Sequence, residues 1–327
     1  MNYAKIDLHL HLDGSVNIGW AYRKALAKKL IGENTSFEEF YDILFAKNIA
    51  HSALSITKFD LLCDMLQTYD ELFEATYDLC KRLYDLGLVY AEIRFASQQH
   101  CKEGLSQKEA IKAVIDGAEK AMEDFPLYIG IINCLMHKGD SAAYNKKENY
   151  EAISAGEAFY QRGLVGFDLA GFENNCPYSD YASFFKLIKE KGMHFTLHAG
   201  EMGIGSHLLE ALAMEPDRLG HGINCIQDQS YIDALRQRQI PLEVCVTSNI
   251  KTTMNYASHP IRRMIAEGLK VTINTDNMIF GRTNLHNEYQ QLKMLGLDDR
   301  ILERCMYNSL EAAFCDNDTK EKIRKLL

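Results

Sequence analysis

The fold class that this sequence predicts is α/β: a single (β/α)8 TIM barrel, with a helical insertion after strand 1 and additional C-terminal helices. Three observations predict it. Eight short apolar stretches recur along the 327 residues, most of them separated by amphipathic helical segments. Four of those stretches end in His or Asp, and a barrel of parallel strands brings all its strand ends to one face. No repeat, low-complexity tract or linker divides the chain, so residues 1–327 read as one domain.

The first stretch, residues 4–12, alternates. Ile6, Leu8, Leu10 and Leu12 fall on one face, and Asp7, His9, His11 and Asp13 on the other. A period of two is a strand. His9 and His11 project from the same face, so both imidazoles reach one ion. From residue 17 to 87 the pattern turns helical, over 18–31, 37–45, 56–66 and 69–86, with Gly32 and Gly87 as stops. That is too long for a crossover between strands, and it reads as an insertion beside the mouth of the site, a wall, lid or scaffold. The lone Trp20 reads as packing.

After Gly87, strands are expected over 89–95, 127–135, 165–169, 195–197, 218–222, 241–246 and 271–274. Helices are expected near 108–125, 147–162, 181–191, 207–214, 231–237 and 261–267, with more beyond the last strand. Counting residues 4–12, that makes eight β units with helical crossovers.

Composition bounds the function. With 47% hydrophobic residues and five prolines, the chain suits a compact core. The net charge of −9 argues against a nucleic-acid or anionic-membrane surface. Nine cysteines (63, 80, 101, 134, 176, 225, 245, 305 and 315) show no paired spacing. The odd count and the lack of a signal-peptide pattern point to reduced thiols and a cytoplasmic location. No apolar run approaches ~20 residues, so no membrane span is expected.

The chemistry then falls on one face. Strand 1 ends in His9 and His11, strand 5 in His198, strand 6 in His221 and strand 8 in Asp276, with Glu201 three residues beyond His198. Imidazoles plus a carboxylate suit Zn²⁺ ahead of iron, cobalt or manganese. A set that leaves one position for water describes a catalytic site, where such water ionises near pH about 7. His51, His100, His137, His194, His207, His259 and His286 read as surface or supporting residues. Strand 4 carries no lysine to bridge two metals, which favours one ion. His286-Asn-Glu288 has no Pro-Cys-x-x-Cys to accompany it, which excludes the other zinc deaminase design.

At this point the chain resembles the adenosine deaminases, within the metal-dependent adenosine/AMP deaminase family, almost end to end. The matching stretches are Ile6-Asp-Leu-His-Leu-His-Leu-Asp-Gly14, Glu92-Ile-Arg-Phe95, Asp168-Leu-Ala-Gly171, His198-Ala-Gly-Glu201, Gly220-His-Gly222, Thr247-Ser-Asn249, His259-Pro-Ile261 and Asn274-Thr-Asp276. The resemblance implies that His9, His11, His198 and Asp276 hold one zinc ion per chain. It implies that a zinc-bound hydroxide, oriented by Asp276 and positioned by His221, attacks purine C6. Glu201 would give a proton to N1. Adenosine would become inosine, or 2′-deoxyadenosine deoxyinosine, with ammonia leaving, a reaction of purine salvage.

By the same resemblance the Gly171 N–H meets N3, His11 lies within reach of the substrate, and Asp13 accepts a ribose hydroxyl. Adenine deaminases tend to carry Glu at the Asp13 position and the N6-methyl-AMP group Asn, and Asp13 would repel a 5′-phosphate. The expected partner is therefore a small purine nucleoside, with oligomeric state left open. Deamination of free adenine or of another adenosine derivative on the same barrel is the alternative. A different mononuclear metal hydrolase is a further class. A catalytically dead relative is disfavoured, because all four ligands, Glu201 and His221 are present. Asn277 departs from the Asp of the animal enzymes. Purine N7 only accepts hydrogen bonds, so the Asn277 amide is expected to donate to it directly.

Overall fold

Strand formation follows the apolar stretches, and pairing follows chain order. The protein is described by a computed structural model, over residues 3–45, 53–173, 177–202, 206–252 and 255–327. His51 and Cys176 lie outside these residues. The strands are β1 Ile6–His11, β2 Tyr90–Phe95, β3 Tyr128–His137, β4 Leu164–Gly171, β5 Thr196–Ala199, β6 Arg218–His221, β7 Leu242–Val244 and β8 Val271–Ile273. They form two parallel four-stranded sheets, β1-β2-β3-β4 and β5-β6-β7-β8. Isolated parallel bridges join the sheets at both seams, Phe167 with Phe195 and Leu10 with Asp276, so the strands run in a ring.

The helical insertion after β1 comprises α1 Ile18–Ala27, α2 Phe37–Phe45, α3 Ala53–Asp64 and α4 Tyr69–Asp85. Thr68 and Glu71 start α4 with a capping box, each side chain bonding the other residue's backbone N–H. The crossovers are α5 Gln107–Asp124, α6 Lys146–Glu157, α7 Ala182–Glu190, α8 Ser206–Ala213, α9 Gln229–Arg238, α10 Val246–Thr252 and α11 Ile261–Ala266. After β8 come α12 Met278–Gly281, α13 Leu285–Met294, α14 Asp299–Ala312 and α15 Asn317–Arg324. Met306 and Leu310 of α14 and Ile323 of α15 pack against Ile6 and Leu8 of β1 and so cover its apolar face. No described helix is long and apolar enough to cross a membrane.

All six residues of β1 are buried, on both faces. A water-facing polar side is thereby ruled out for this strand: Asp7, His9 and His11 line the barrel interior, and the leucines meet helices. Several boundaries differ from expectation. β7 stops at Val244, and α10 begins at Val246, because an apolar run such as Val244-Cys-Val246 has no period that separates a strand end from a buried helix start. α1 stops at Ala27, and Lys29 takes a left-handed φ of 56°. β3 extends to His137 and β4 to Gly171, and the two pair in register as far as those residues.

Candidate metal centre and active site

The site rests on charges buried in the barrel floor. Arg94 of β2 is fully buried. Its Nη1 donates to Asp168 Oδ2 at 2.7 Å, and its Nη2 donates to Glu243 Oε2 at 2.8 Å and to the Leu8 carbonyl at 2.6 Å. Arg218 Nε donates to Glu243 Oε1 at 2.6 Å, and its Nη2 reaches Glu92. Two arginines and three carboxyl groups are thus ion-paired in one fully buried network.

That floor aims the imidazoles. His9 Nδ1 lies 2.8 Å from Glu243 Oε2, and His198 Nδ1 lies 2.8 Å from Asp168 Oδ2. Glu243 accepts the His9 Nδ1–H, and the Asp168 carboxylate lies against the Nδ1 edge of His198, so both rings turn Nε2 into the barrel, the orientation that a metal-ligating histidine needs. Backbone bonds place the fourth donor: Asp276 N–H donates to the His9 carbonyl at 2.7 Å, and His11 N–H donates to the Asp276 carbonyl at 3.1 Å. Asp276 has a φ of 63°, strain of the kind that tightly built sites hold.

The four donors converge. Asp276 Oδ1 is 3.7 Å from His9 Nε2 and 3.4 Å from His11 Nε2, and His11 Nε2 is 3.3 Å from His198 Nε2. Tetrahedral zinc with bonds of about 2.05 Å separates its ligands by about 3.3 Å, and these three separations lie near that value. The buried His9 Nε2 has no hydrogen-bond partner within the protein, as suits an atom reserved for an ion. Burial holds His9 and His11 well below the ordinary histidine range, which keeps them neutral. Burial also opposes charge on His198, but the Asp168 carboxylate outweighs it and raises that imidazole. Burial raises Asp276 too, and the His221 side chain acts against the shift.

His221 ends β6 with a φ of 62°. The Asn249 amide of α10 meets its Nδ1 at 3.2 Å, and Asn249 Oδ1 faces His259 Nε2 at 3.4 Å. Ile261 N–H donates to His259 Nδ1 at 3.3 Å, so the His259 proton sits on Nε2 and donates to Asn249 Oδ1. The Asn249 NH₂ must then donate to His221 Nδ1, which leaves the proton of a neutral His221 on Nε2. Burial lowers His221 to about 4, so neutral is its state near pH 7. Its Nε2 stands 3.6 Å from Glu201 Oε2.

Glu201 sits in the turn after β5, and that turn is held by another carboxylate. Glu173 accepts the N–H groups of Gly200 at 2.6 Å, Glu201 at 2.9 Å and Met202 at 2.8 Å. Ser248 Oγ donates to Asp276 Oδ2 at 2.5 Å. Asn277 Nδ2 donates to Asp276 Oδ1 at 2.7 Å. A Cβ at Gly14 would fall 1.7 Å from Asn277 Oδ1, so only glycine admits this placement.

The remaining expected residues line the same end of the barrel. Asp13 is buried in the turn after β1, where its Oδ1 accepts Gly14 N–H at 3.0 Å. Gly171 is exposed at the end of β4 with a φ of 121°, and a Cβ there would meet the His137 carbonyl at 2.5 Å. The structure therefore joins His9, His11, His198, His221, Glu201, Asp276 and Asn277 in one connected cluster, with Asp13 just beyond β1 and Gly171 at the end of β4. Sequence reasoning missed Glu243 and Glu173, gave Arg94, Asp168, Ser248 and Asn249 no role, and read His259 as a surface or supporting residue. A signal for Glu243 existed: a carboxylate inside the apolar run Pro241-Leu-Glu-Val is costly unless it is paired.

Comparisons with known proteins show the family and the fold. The model of the family described as adenosine deaminase matches residues 4–327. An adenosine deaminase of Haemophilus ducreyi is 34% identical over 98% of this chain and 94% of its own length. An adenine deaminase from Arthrobacter aurescens is similar in structure, with a TM-score of 0.86 and 23% identity over 99% of this chain and 97% of that one. An amidohydrolase from Burkholderia ambifaria, solved with bound zinc, reaches a TM-score of 0.87 at 21% identity, over 99% of this chain and 89% of its own. At those identities the two structures speak for the fold alone.

Proposed function

The chain belongs to the adenosine deaminase family, and from that premise we propose how it hydrolyses adenosine, or 2′-deoxyadenosine, to inosine or deoxyinosine and ammonia. One observation carries the reading: the His9–His11–Asp276 triad, with His198 Nε2 3.3 Å from His11 Nε2, stands beside the Glu201–His221 pair. The four donors would hold one zinc ion per chain. Bound there, zinc supplies a Lewis acid that brings the ionisation of water to about pH 7.

The chain's own residues do the rest. Glu201, protonated, gives its proton to purine N1, which draws electron density from C6 and opens that carbon to attack. Asp276 accepts a hydrogen bond from the attacking water and fixes its lone pair toward C6. His221, with Nε2–H turned inward by Asn249, stabilises negative charge that builds on the incoming oxygen. The C6–N bond then breaks: of the two protons that the water gives up, one goes to the 6-amino group, which leaves as ammonia, and the other restores Glu201, while N1 keeps the proton it received. Asp13 accepts a ribose hydroxyl, and the Gly171 N–H donates to N3. Asn277 has two amide hydrogens: one is held by Asp276, and the other is free to meet N7. Residues 1–327 act as one domain, on a cytoplasmic purine nucleoside.

Metal removal tests the reading. Elemental analysis should find about one zinc per chain, and a strong chelator should remove metal and activity together, with both restored by zinc. Full turnover in protein free of transition metal contradicts it.

A further inference from the structure

We propose that Asp13, Cys63 and His100 form a second cation site, beside the ribose end of the pocket, that takes a thiophilic divalent ion such as Zn²⁺ or Cd²⁺. The three side chains come from separate elements: the turn after β1, helix α3 of the insertion, and the turn after β2. They share no residue with the four-donor set. All three are buried: Asp13 is 2% exposed, Cys63 1% and His100 0%.

Two independent observations point to a ligand. The first is mutual distance. His100 Nε2 lies 3.6 Å from Asp13 Oδ2, Cys63 Sγ lies 3.7 Å from the same oxygen, and the three donor atoms lie within 4.8 Å of one another. Ligands of a tetrahedral zinc with Zn–N about 2.0 Å and Zn–S about 2.3 Å stand about 3.3–3.6 Å apart, so the trio needs only a small closure. The second is an orphaned atom. His100 Nδ1 is 2.8 Å from the Leu66 carbonyl, which can only accept, so Nδ1 carries the proton. Nε2 of the neutral ring is then a lone pair, and it is buried without a partner. It faces a carboxylate oxygen. Two acceptors that face each other in a dry pocket repel, and a cation between them removes the conflict. The Nδ1–H bond to a carbonyl is also the support that metal-binding imidazoles have.

Sulfur among three donors selects a soft or borderline ion over Mg²⁺ or Ca²⁺. On binding, the thiol proton of Cys63 leaves to solvent and the sulfur–metal bond forms, with no change of oxidation state. The three donors leave one position of a tetrahedral ion unfilled by them. A consequence for catalysis rests on the ribose role proposed for Asp13: an ion held here withdraws that carboxylate from the sugar.

Protein loaded with one equivalent of zinc, titrated with Cd²⁺, tests the site. The readouts are thiolate-to-cadmium absorption in the ultraviolet and the metal content after gel filtration. One further equivalent should bind with the thiolate band while the zinc is retained. Cys63→Ser should lose the band, and His100→Ala should bind Cd²⁺ at least ~10-fold more weakly, both with the first equivalent of zinc intact. An imidazolium–carboxylate ion pair in place of a cation site would leave the titration without a second equivalent, and that overturns the proposal. So does a band of equal size in Cys63→Ser, which would belong to another thiol such as Cys101 or Cys315. Cd²⁺ should raise KM for adenosine in wild type and not in Cys63→Ser. If the band depends on Cys63 and His100 while KM is unmoved, the cation site stands and the ribose role of Asp13 falls.

Discussion

Glu201 lies close enough to His221, at 3.6 Å, for the two side chains to share one proton environment, and its side chain is 15% exposed. Glu201→Gln keeps shape and removes the transferable proton. Its kcat should fall by at least ~10²-fold with zinc content unchanged; near wild-type turnover with zinc in place takes Glu201 out of the proton transfer. Asn277 makes a finer test. Asn277→Leu should lower kcat/KM for adenosine by about 5- to 150-fold, a cost of about 1–3 kcal/mol for stranding N7. The substitution also removes a hydrogen bond to Asp276, so a control substrate is needed. The 7-deaza analogue has no N7 acceptor, and it should be as poor for the variant as for wild type. A further loss with that analogue would place the effect at Asp276 instead. Asn277 also shows how far residue-level reading reaches. An amide donor beside a metal ligand is visible in Asp276-Asn277, but its bond to Asp276 is set by Gly14, far away in the chain.

At the scale of elements, α10 carries Ser248 and Asn249 to the site, and α13 anchors α10. Glu288 of α13 is fully buried and accepts Thr247 N–H at 3.0 Å and the Thr283 hydroxyl at 2.6 Å. Burial pushes Glu288 up to about 6 from an ordinary 4.5. A raised acid binds its proton more tightly in the folded state. Its stabilising contribution is therefore present below about pH 4.5 and is lost as pH rises through about 6. Glu288→Gln abolishes this titration. Urea unfolding at pH 4.5 and pH 7 should show wild type losing about 2 kcal/mol more than the variant across that range, from 1.5 units at 1.36 kcal/mol each. Equal losses would mean that Glu288 ionises as it does in the unfolded chain. The anchoring helix was legible in the sequence only as one of the C-terminal helices. α10 was not legible at all, because its first turn reads as the tail of an apolar strand.

At the scale of the whole molecule, a ring of parallel strands brings residues 9, 11, 198, 221 and 276 to one end, and the alternation of residues 4–12 already pointed there. What the sequence did not reveal is the floor. Arg94, Asp168, Arg218, Glu92 and Glu243 lie on four strands, and their pairing exists only once the ring closes. No local pattern encodes a contact between residues 94 and 243, although each is an ionised group in an apolar run and therefore calls for a partner. The central claim is that this barrel end deaminates adenosine as a nucleoside, with Asp13 reading the sugar. Asp13 should favour adenosine over adenine, because the free base leaves a buried carboxylate unpaired, and over AMP, because a phosphate would meet like charge. The direct measurement is kcat/KM of the zinc-loaded protein for adenosine, adenine and AMP, followed by ammonia release. The account predicts that adenosine exceeds both others by at least ~10²-fold, and comparable values for adenine or AMP would contradict it.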